Sequence, residues 1–524
     1  MGALRENSYK RAAAYLEDKV AEKWALLLGN SDDETCGNEP RRNIQNGAFG
    51  NEIRINGSAE NTDPGDLADT PDFVLLLDNT GRDSMDLYAS FKSTGKSFFA
   101  AVLSDDGFIP GEMESVYGFF LGYRAGTSYE GKPRYFNGIR VPKYWEISGT
   151  GRGGKITDMS HERGRIFYAE PSHKRYVKTV DYYDEKGIVR FSDHYNRYGA
   201  LYSRTAFSAG GERINRSFFS ADGKEIIVEN FVTRDIILNY KGKILIFKNK
   251  TEFAIFYLKE RGLSGRRLFY NSLSYPFFVS EDLPKETGGD ILFWQEDIKD
   301  DIPGNMKIIL NGRSSRTGRI VVQNRSSYEK LRASGANMDM ITLLGFVYPF
   351  ERENRYGRDI LIGTNSDNIA CLDEITAAVK DCRFHIAALT EMSAKLMAFG
   401  DRENVILYPG VSMAKLDELF AGCDIYLDIN HENEIVSAVR RAFLNNMLIL
   451  AFRETLHDGI YTEKGHIFGK DEPDRLTALL TSALNDRAVM EQSIRSQREH
   501  ALLADEAAYK TLIKDADSYK DQIL

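Results

Sequence analysis

The chain has 524 residues, 42% of them hydrophobic and 28% charged, a globular balance that excludes a disordered or fibrous protein. At about 150 residues each, three or four domains fit this length. Lys and Arg number 68 against 77 Asp and Glu, and the net charge of -9 disfavours a generally basic nucleic-acid binder.

In chain order, residues 9–28 read as a helix, followed by Gly-, Asn- and Asp-rich sequence at 29–69 where turns are favoured. Organised α/β sequence starts at 73–77, a short apolar strand. A helix follows near 84–92, then a second apolar run at 98–103. The pattern then changes. Gly187, Gly199, Gly211 and Gly223 recur every 12 residues in the turns DEKG, NRYG, SAGG and SADG. Between them lie IVRFSDHY, ALYSRTAF and KEIIVENF, β-branched and aromatic runs of strand length, so the spacing predicts an antiparallel meander, extended upstream by 176–183. After about Ile236 the α/β pattern is expected to return, with strands at 244–247, 267–273, 290–296, 306–310 and 319–323. From Asp359, the strands ILIG, FHIAAL, VILYP, DIYLDI and MLILAF alternate with helices, which predicts a parallel, doubly wound sheet. The end of the chain, from Asp474, reads as two or three amphipathic helices. The expected fold is α/β: a GT-B-like pair of Rossmann-like domains with an inserted antiparallel meander. The domains read as 1–70 (an extension), 71–110 and 236–340 (the first Rossmann-like domain), 111–235 (the insertion), 341–490 (the second) and 491–524 (C-terminal helices).

Most chemistry-bearing motifs fail on inspection. GTGRGGKI at 149–156 has Ile156 where a phosphate loop needs a hydroxyl, and STGKS at 93–97 follows a helix with Ser90 in place of the first Gly. The eight histidines include no HExxH and no helical pair, so no metal site is expected. Cys36, Cys371, Cys382 and Cys423 form no CxxC, which suits thiols in a reducing cytosol. No apolar run reaches about 18 residues and no leader pattern opens the chain, so an intracellular protein is expected. A sugar-nucleotide site would need cations and backbone N–H groups for a diphosphate, and a pair of Glu residues separated by seven others. Aligning the helix-turn-strand portion of DIYLDINHENEIVSAVRRAFLNNMLILAF puts Asn433 and Arg441 at those two positions. The turns GTNSDNI and ALTEMS add Asp367 and Glu391 rather than Arg or Lys. A slip that brings in Glu432 or Glu434 puts Arg440 or Ala442 in the second position. The donor site reads as degenerate and no cofactor is expected.

DHYNRYG (193–199), NSLSYPF (271–277), LFWQE (292–296), IPGNM (302–306), TNSDNI, FHIAALTEMS, CDIYLDINHENEI and VRRAF are long, specific motifs. On them the chain resembles the GtfB family, the non-catalytic subunits of GtfA/GtfB peptide O-GlcNAc transferases in the bacterial accessory Sec system. The similarity spans residues 73–486. The resemblance implies a pseudoenzyme and co-activator. Its GtfA-type partner, in a heterotetramer with two of each, transfers GlcNAc from UDP-GlcNAc to Ser/Thr of serine-rich repeat adhesins. It also implies a cytoplasmic protein, peripheral at the inner face of the membrane. Candidate acceptor contacts are Trp294, Gln295 and Glu296, and Asn430, His431 and Glu432, all beyond strand ends. Trp294 as ordinary core fits the same sequence. Candidate partner contacts are Tyr195, Arg197, Tyr198, Tyr202 and Arg204 in the meander, whose edge could pair with another sheet; a plain two-faced sheet explains most of these residues as well. The competing function is an active retaining transferase with an atypical donor site.

Overall fold

The computed structural model describes residues 71–123, 129–299 and 301–516, together with the strand Arg54–Ile55. The helix expected at 9–28, Cys36 and most of the turn-rich stretch lie outside the described residues. The chain divides into two compact units, Met1–Asp66 with Ser104–Tyr257, and Leu67–Leu103 with Leu258–Leu524.

The first unit is built on a ten-stranded antiparallel sheet in simple sequential order, from Trp145–Gly149 at one edge to Lys243–Phe247 at the other. The 12-residue glycine period is its turn chemistry. Gly187, Gly199, Gly211 and Gly223 have φ of 76°, 81°, 82° and 80°. In each turn the glycine N–H donates to a carbonyl three residues back, from Asp184, Asn196, Ser208 and Ser220. Asp184, Asn196 and Ser208 also accept backbone N–H groups with their side chains, which locks the bend. A left-handed glycine after a tight turn shifts the strand register by one residue, as seen between His194 and Tyr195 and between Ala206 and Phe207. The near-match to a phosphate loop is also a hairpin: Thr150 N–H donates to Gly153 O (2.8 Å) between strands Trp145–Gly149 and Gly154–Asp158. One face of the sheet is covered by helix Val116–Leu121 and by Phe253, with Tyr117 stacked on Phe218 at 4.5 Å and Phe120 5.2 Å from Phe253.

Strand Lys243–Phe247 corrects the sequence reading, because it closes this sheet rather than reopening the α/β pattern. A two-residue turn at Lys241–Gly242, φ 50° and 71°, pairs it with Ile236–Tyr240. The run at 306–310 is likewise a helix, Gly304–Leu310. Pro303 caps it, and Met306 and Ile309 are buried at the i, i+3 spacing of one helical face.

The second unit holds two parallel sheets. The first runs Ile341–Leu343, Thr317–Val322, Asp290–Trp294, Arg267–Tyr270, Phe73–Leu77, Phe98–Val102. Its central strands are buried end to end, and a fully buried ion pair anchors them: Arg316 Nε donates to Asp290 Oδ2 at 2.8 Å, while Asp290 Oδ1 also accepts Leu268 N–H at 2.8 Å. Removing one partner of such a pair costs about 3–5 kcal/mol. The second sheet has six strands in the order Val405–Tyr408, Arg383–Ala388, Asp359–Thr364, Ile425–Asp428, Leu448–Phe452, Ile467–Phe468. Three helices end the described chain: Pro473–Asn485, Arg487–His500 and Glu506–Asp515. The last returns to the first sheet, where Tyr509 meets Phe91 edge-on at 5.2 Å and donates to Gly345 O at 2.7 Å. Two Rossmann-like lobes with an antiparallel insertion in the first make up the architecture. No helix among the described residues is long and apolar enough to cross a membrane.

Candidate functional site

Ligands of open parallel sheets bind beyond the carboxyl ends of the strands. In the first lobe, four neighbouring strands end in polar residues that bond to one another across the sheet. Asp78 N–H donates to Asn271 Oδ1 at 2.9 Å, and Asn271 Nδ2 donates to Gln295 Oε1 at 3.1 Å. Gln295 Nε2 donates to Gln323 Oε1 at 3.0 Å, and Gln323 Nε2 to Tyr509 Oη at 3.0 Å. Gln295 is therefore a link in an internal amide ladder. Trp294 is 4% exposed in the strand core, and Glu296 alone of the three is exposed.

In the second lobe, Asn430 is a turn lock. Its buried side chain accepts from Thr364 Oγ1 at 3.0 Å and donates to Glu432 O at 3.0 Å. His431 donates its backbone N–H to Asn368 O at 3.0 Å, and Glu432 is exposed. Sequence reasoning missed the group that fastens this loop. His457 Nδ1 meets Asp428 Oδ1 at 2.5 Å and its Nε2 meets Glu432 O at 2.6 Å. The Asp428 hydrogen bond lifts the imidazole pKa to about 9, so both ring nitrogens donate. Burial pushes the Glu434 carboxyl above its usual range, and Glu434 accepts Val439 N–H at 2.8 Å.

Asn433 lies in the loop after strand Ile425–Asp428, and Arg441 in the helix Ala438–Leu444 that follows. Asn433 is exposed; Arg441 pairs with Asp417 at 2.5 Å and lies 4.2 Å over the Phe420 ring. Asp367 accepts from Ser393 Oγ at 2.8 Å, and Glu391 is exposed. The carboxylates of Asp367, Glu391, Asp428, Glu432 and Glu434 thus follow three adjacent strands, and the imidazolium at His457 is already matched to one of them. Lys395, which donates to the Asp367 carbonyl at 3.4 Å, places an ammonium beside them.

In the first unit, Tyr195 and Tyr202 are 7% and 2% exposed and belong to the sheet's packed interior. Arg204 is bound by Asp193 through both oxygens, at 2.6 and 2.9 Å, and Arg197 donates to Ile109 O at 3.0 Å. Tyr198 is half-buried and stacks on Tyr123 at 5.7 Å. The density of aromatics and arginines marks internal packing, because alternate residues of a meander must fill its own faces. The large exposed apolar residues lie elsewhere. Ile244 and Ile246, 55% and 57% exposed, share one face of the terminal strand. No alternation in KGKILIFKNK announces them, because ILIF is apolar on both faces of the strand.

Family models match in chain order: the GtfB N-terminal domain over residues 74–120, the GtfB middle domain over 145–248, the GtfB third domain over 250–333, and the GftB/GlyA-F C-terminal domain over 360–497. The UDP-N-acetylglucosamine–peptide N-acetylglucosaminyltransferase stabilizing protein GtfB of Streptococcus parasanguinis is 43% identical over 406 residues, 77% of this chain and 91% of that protein. The protein of the same name from Streptococcus agalactiae is 41% identical over 442 residues, 84% of this chain and 98% of its own. A chain in the crystal structure of a GtfA/B complex bound to UDP and GlcNAc superposes with a TM-score of 0.80 at 39% identity, covering 84% of this chain and 99% of that one. The chain belongs to the GtfB family.

Proposed function

We propose that this protein is the non-catalytic subunit that stabilises a GtfA-type peptide O-GlcNAc transferase and binds its serine-rich repeat acceptor, while the partner handles UDP-GlcNAc. The observation that carries this reading is the second lobe's strand-end region. By alignment, Asn433 and Arg441 take the two positions where we expect a donor site to need carboxylates, and the neighbouring strand ends carry Asp367, Glu391 and Glu432. The names of its relatives and the GtfA/B assembly of its structural neighbour support the same reading. Glu296, His431 and Glu432, on exposed or half-exposed strand-end positions, are the groups we assign to acceptor hydroxyls and backbone amides. The ten-stranded sheet is the surface we assign to the partner, in an assembly of two copies of each subunit. The adhesin is then glycosylated in the cytosol, at the inner face of the membrane, before accessory Sec export.

Calorimetric titration of the purified chain tests this, with UDP-GlcNAc and a Ser/Thr-rich acceptor fragment in separate runs. Acceptor binding without a nucleotide signal is the expected result; nucleotide binding in the micromolar range sinks it. In the reconstituted complex, Asn433→Ala and Arg441→Ala leave the glycosylation rate within about twofold, a transition-state change under ~0.5 kcal/mol.

A further inference from the structure

Both parallel-sheet lobes belong to one compact unit, and charged side chains join them reciprocally. Helix Arg82–Ser93, which follows the first strand of the first lobe, supplies Arg82 and Asp86. The second lobe supplies Arg440 from helix Ala438–Leu444, and Asp458 and Tyr461 from the segment after strand Leu448–Phe452. Arg440 holds Asp86 through both oxygens, Nη2 to Oδ1 at 2.5 Å and Nη1 to Oδ2 at 2.7 Å, and also donates to the Tyr461 hydroxyl. Arg82 Nη1 pairs in the opposite sense with Asp458 Oδ2 at 2.5 Å. The two guanidinium carbons lie 5.6 and 5.7 Å from the centre of the Tyr461 ring. Arg82 Nε also pairs with Asp83 of its own helix at 3.2 Å. The two pairs that cross between the lobes run in opposite senses, so closure satisfies both at once.

We propose that this clasp is a latch that keeps the two lobes in one closed arrangement without a nucleotide between them. Two-lobed α/β proteins commonly hinge, closing when a ligand supplies contacts to both sides. Here those contacts are supplied by the chain itself. The Asp86 side chain is 4% exposed and Tyr461 is 1% exposed. Opening would break the bidentate Arg440–Asp86 pair, the Arg440–Tyr461 contact and the Arg82–Asp458 pair together, and bidentate charge-assisted bonds are the strong ones. Arg440 is the immediate neighbour of Arg441, so the latch sits beside the second degenerate donor position. The C-terminal helix braces the same element, through Tyr509 against Phe91. Lobe closure is in this way a fixed property of the fold, separate from any donor binding.

Double electron–electron resonance on the full chain tests the latch. Spin labels go on Glu329→Cys in the first lobe and Ala414→Cys in the second, both exposed helix positions, with Cys36 and Cys371 replaced by Ser. The expected wild-type result is one narrow distance peak, unmoved by UDP-GlcNAc. Asp86→Asn combined with Asp458→Asn adds a second, longer peak, and Arg82→Gln alone, at the more exposed half, adds a smaller one. Two peaks in the wild type, or a wild-type peak that shortens with nucleotide, overturns the proposal. So does a folded double variant, judged by circular dichroism, that keeps the single wild-type peak. If the double variant does not fold, Arg82→Gln and the wild-type distances decide.

Discussion

His457 carries its charge at neutral pH because Asp428 and the Glu432 carbonyl accept hydrogen bonds from both ring N–H groups. Its folded pKa, about 9, stands above the ordinary histidine value of 6.5. The stabilisation from this raised pKa is therefore fully present below pH 6.5 and is lost as pH rises through about 9. His194 and His466 work in the opposite sense. Burial lowers them to about 3 and about 4, so they stay neutral in the folded chain and cost stability as pH falls below 6.5. In melting-temperature profiles across pH, His457→Gln should flatten the decline between pH 6.5 and 9 and leave the acid limb unchanged. A variant profile parallel to wild type through that window would remove His457 from the account. Sequence alone could not show this pair, since 29 residues separate Asp428 from His457 and no motif links them. The strand Ile425–Asp428 and the helix Ala438–Leu444 that frame Asn433 and Arg441 were legible because their apolar spacing is regular. Trp294, Tyr195 and Tyr202 were not, because an aromatic side chain suits a core and a binding face equally until burial is known.

The meander was legible because each turn repeats one solution, a polar residue whose carbonyl accepts the N–H of a left-handed glycine three residues later. Not every glycine in the series is under the same demand. A Cβ at Gly223 would meet nothing within 4 Å, so only its φ of 80° resists a side chain. A Cβ at Gly199 would also lie 2.4 Å from the Lys132 carbonyl oxygen, which is backbone and cannot swing aside. Gly223→Ala should cost about 1–2 kcal/mol in urea unfolding, and Gly199→Ala at least ~1 kcal/mol more from overpacking. Equal losses would mean that the Gly199 turn relaxes as a unit. The elements that escaped the sequence broke a local rule. Lys241–Gly242 is a two-residue hairpin without the Asn-Gly or Asp-Gly pair that announces one, and Met306–Leu310 is too short for its apolar run to distinguish strand from helix.

For the whole molecule, the long antiparallel sheet has a terminal strand with an apolar face in water, a surface that invites association. Lys241, Lys243, Lys248 and Lys250 flank Ile244 and Ile246, the charged framing that keeps such an edge soluble when it is unoccupied. The proposed role gives this edge an occupant, the catalytic subunit. Internal residues and edge residues of the same sheet should then respond differently to mutation. Tyr202→Ala removes a ring buried to 2% and should cost about 3–5 kcal/mol of stability, lowering complex yield only by unfolding the sheet. Ile244→Lys with Ile246→Lys changes two exposed side chains, so the free chain should keep its stability within about 0.5 kcal/mol per site. Affinity for the catalytic subunit should nevertheless fall by about tenfold or more, roughly 1.4 kcal/mol. Paired measurements of urea unfolding and of binding to the immobilised partner separate the two effects. If the double lysine variant binds as wild type does, the partner surface lies on another part of the sheet, and the exposed isoleucines need a different explanation.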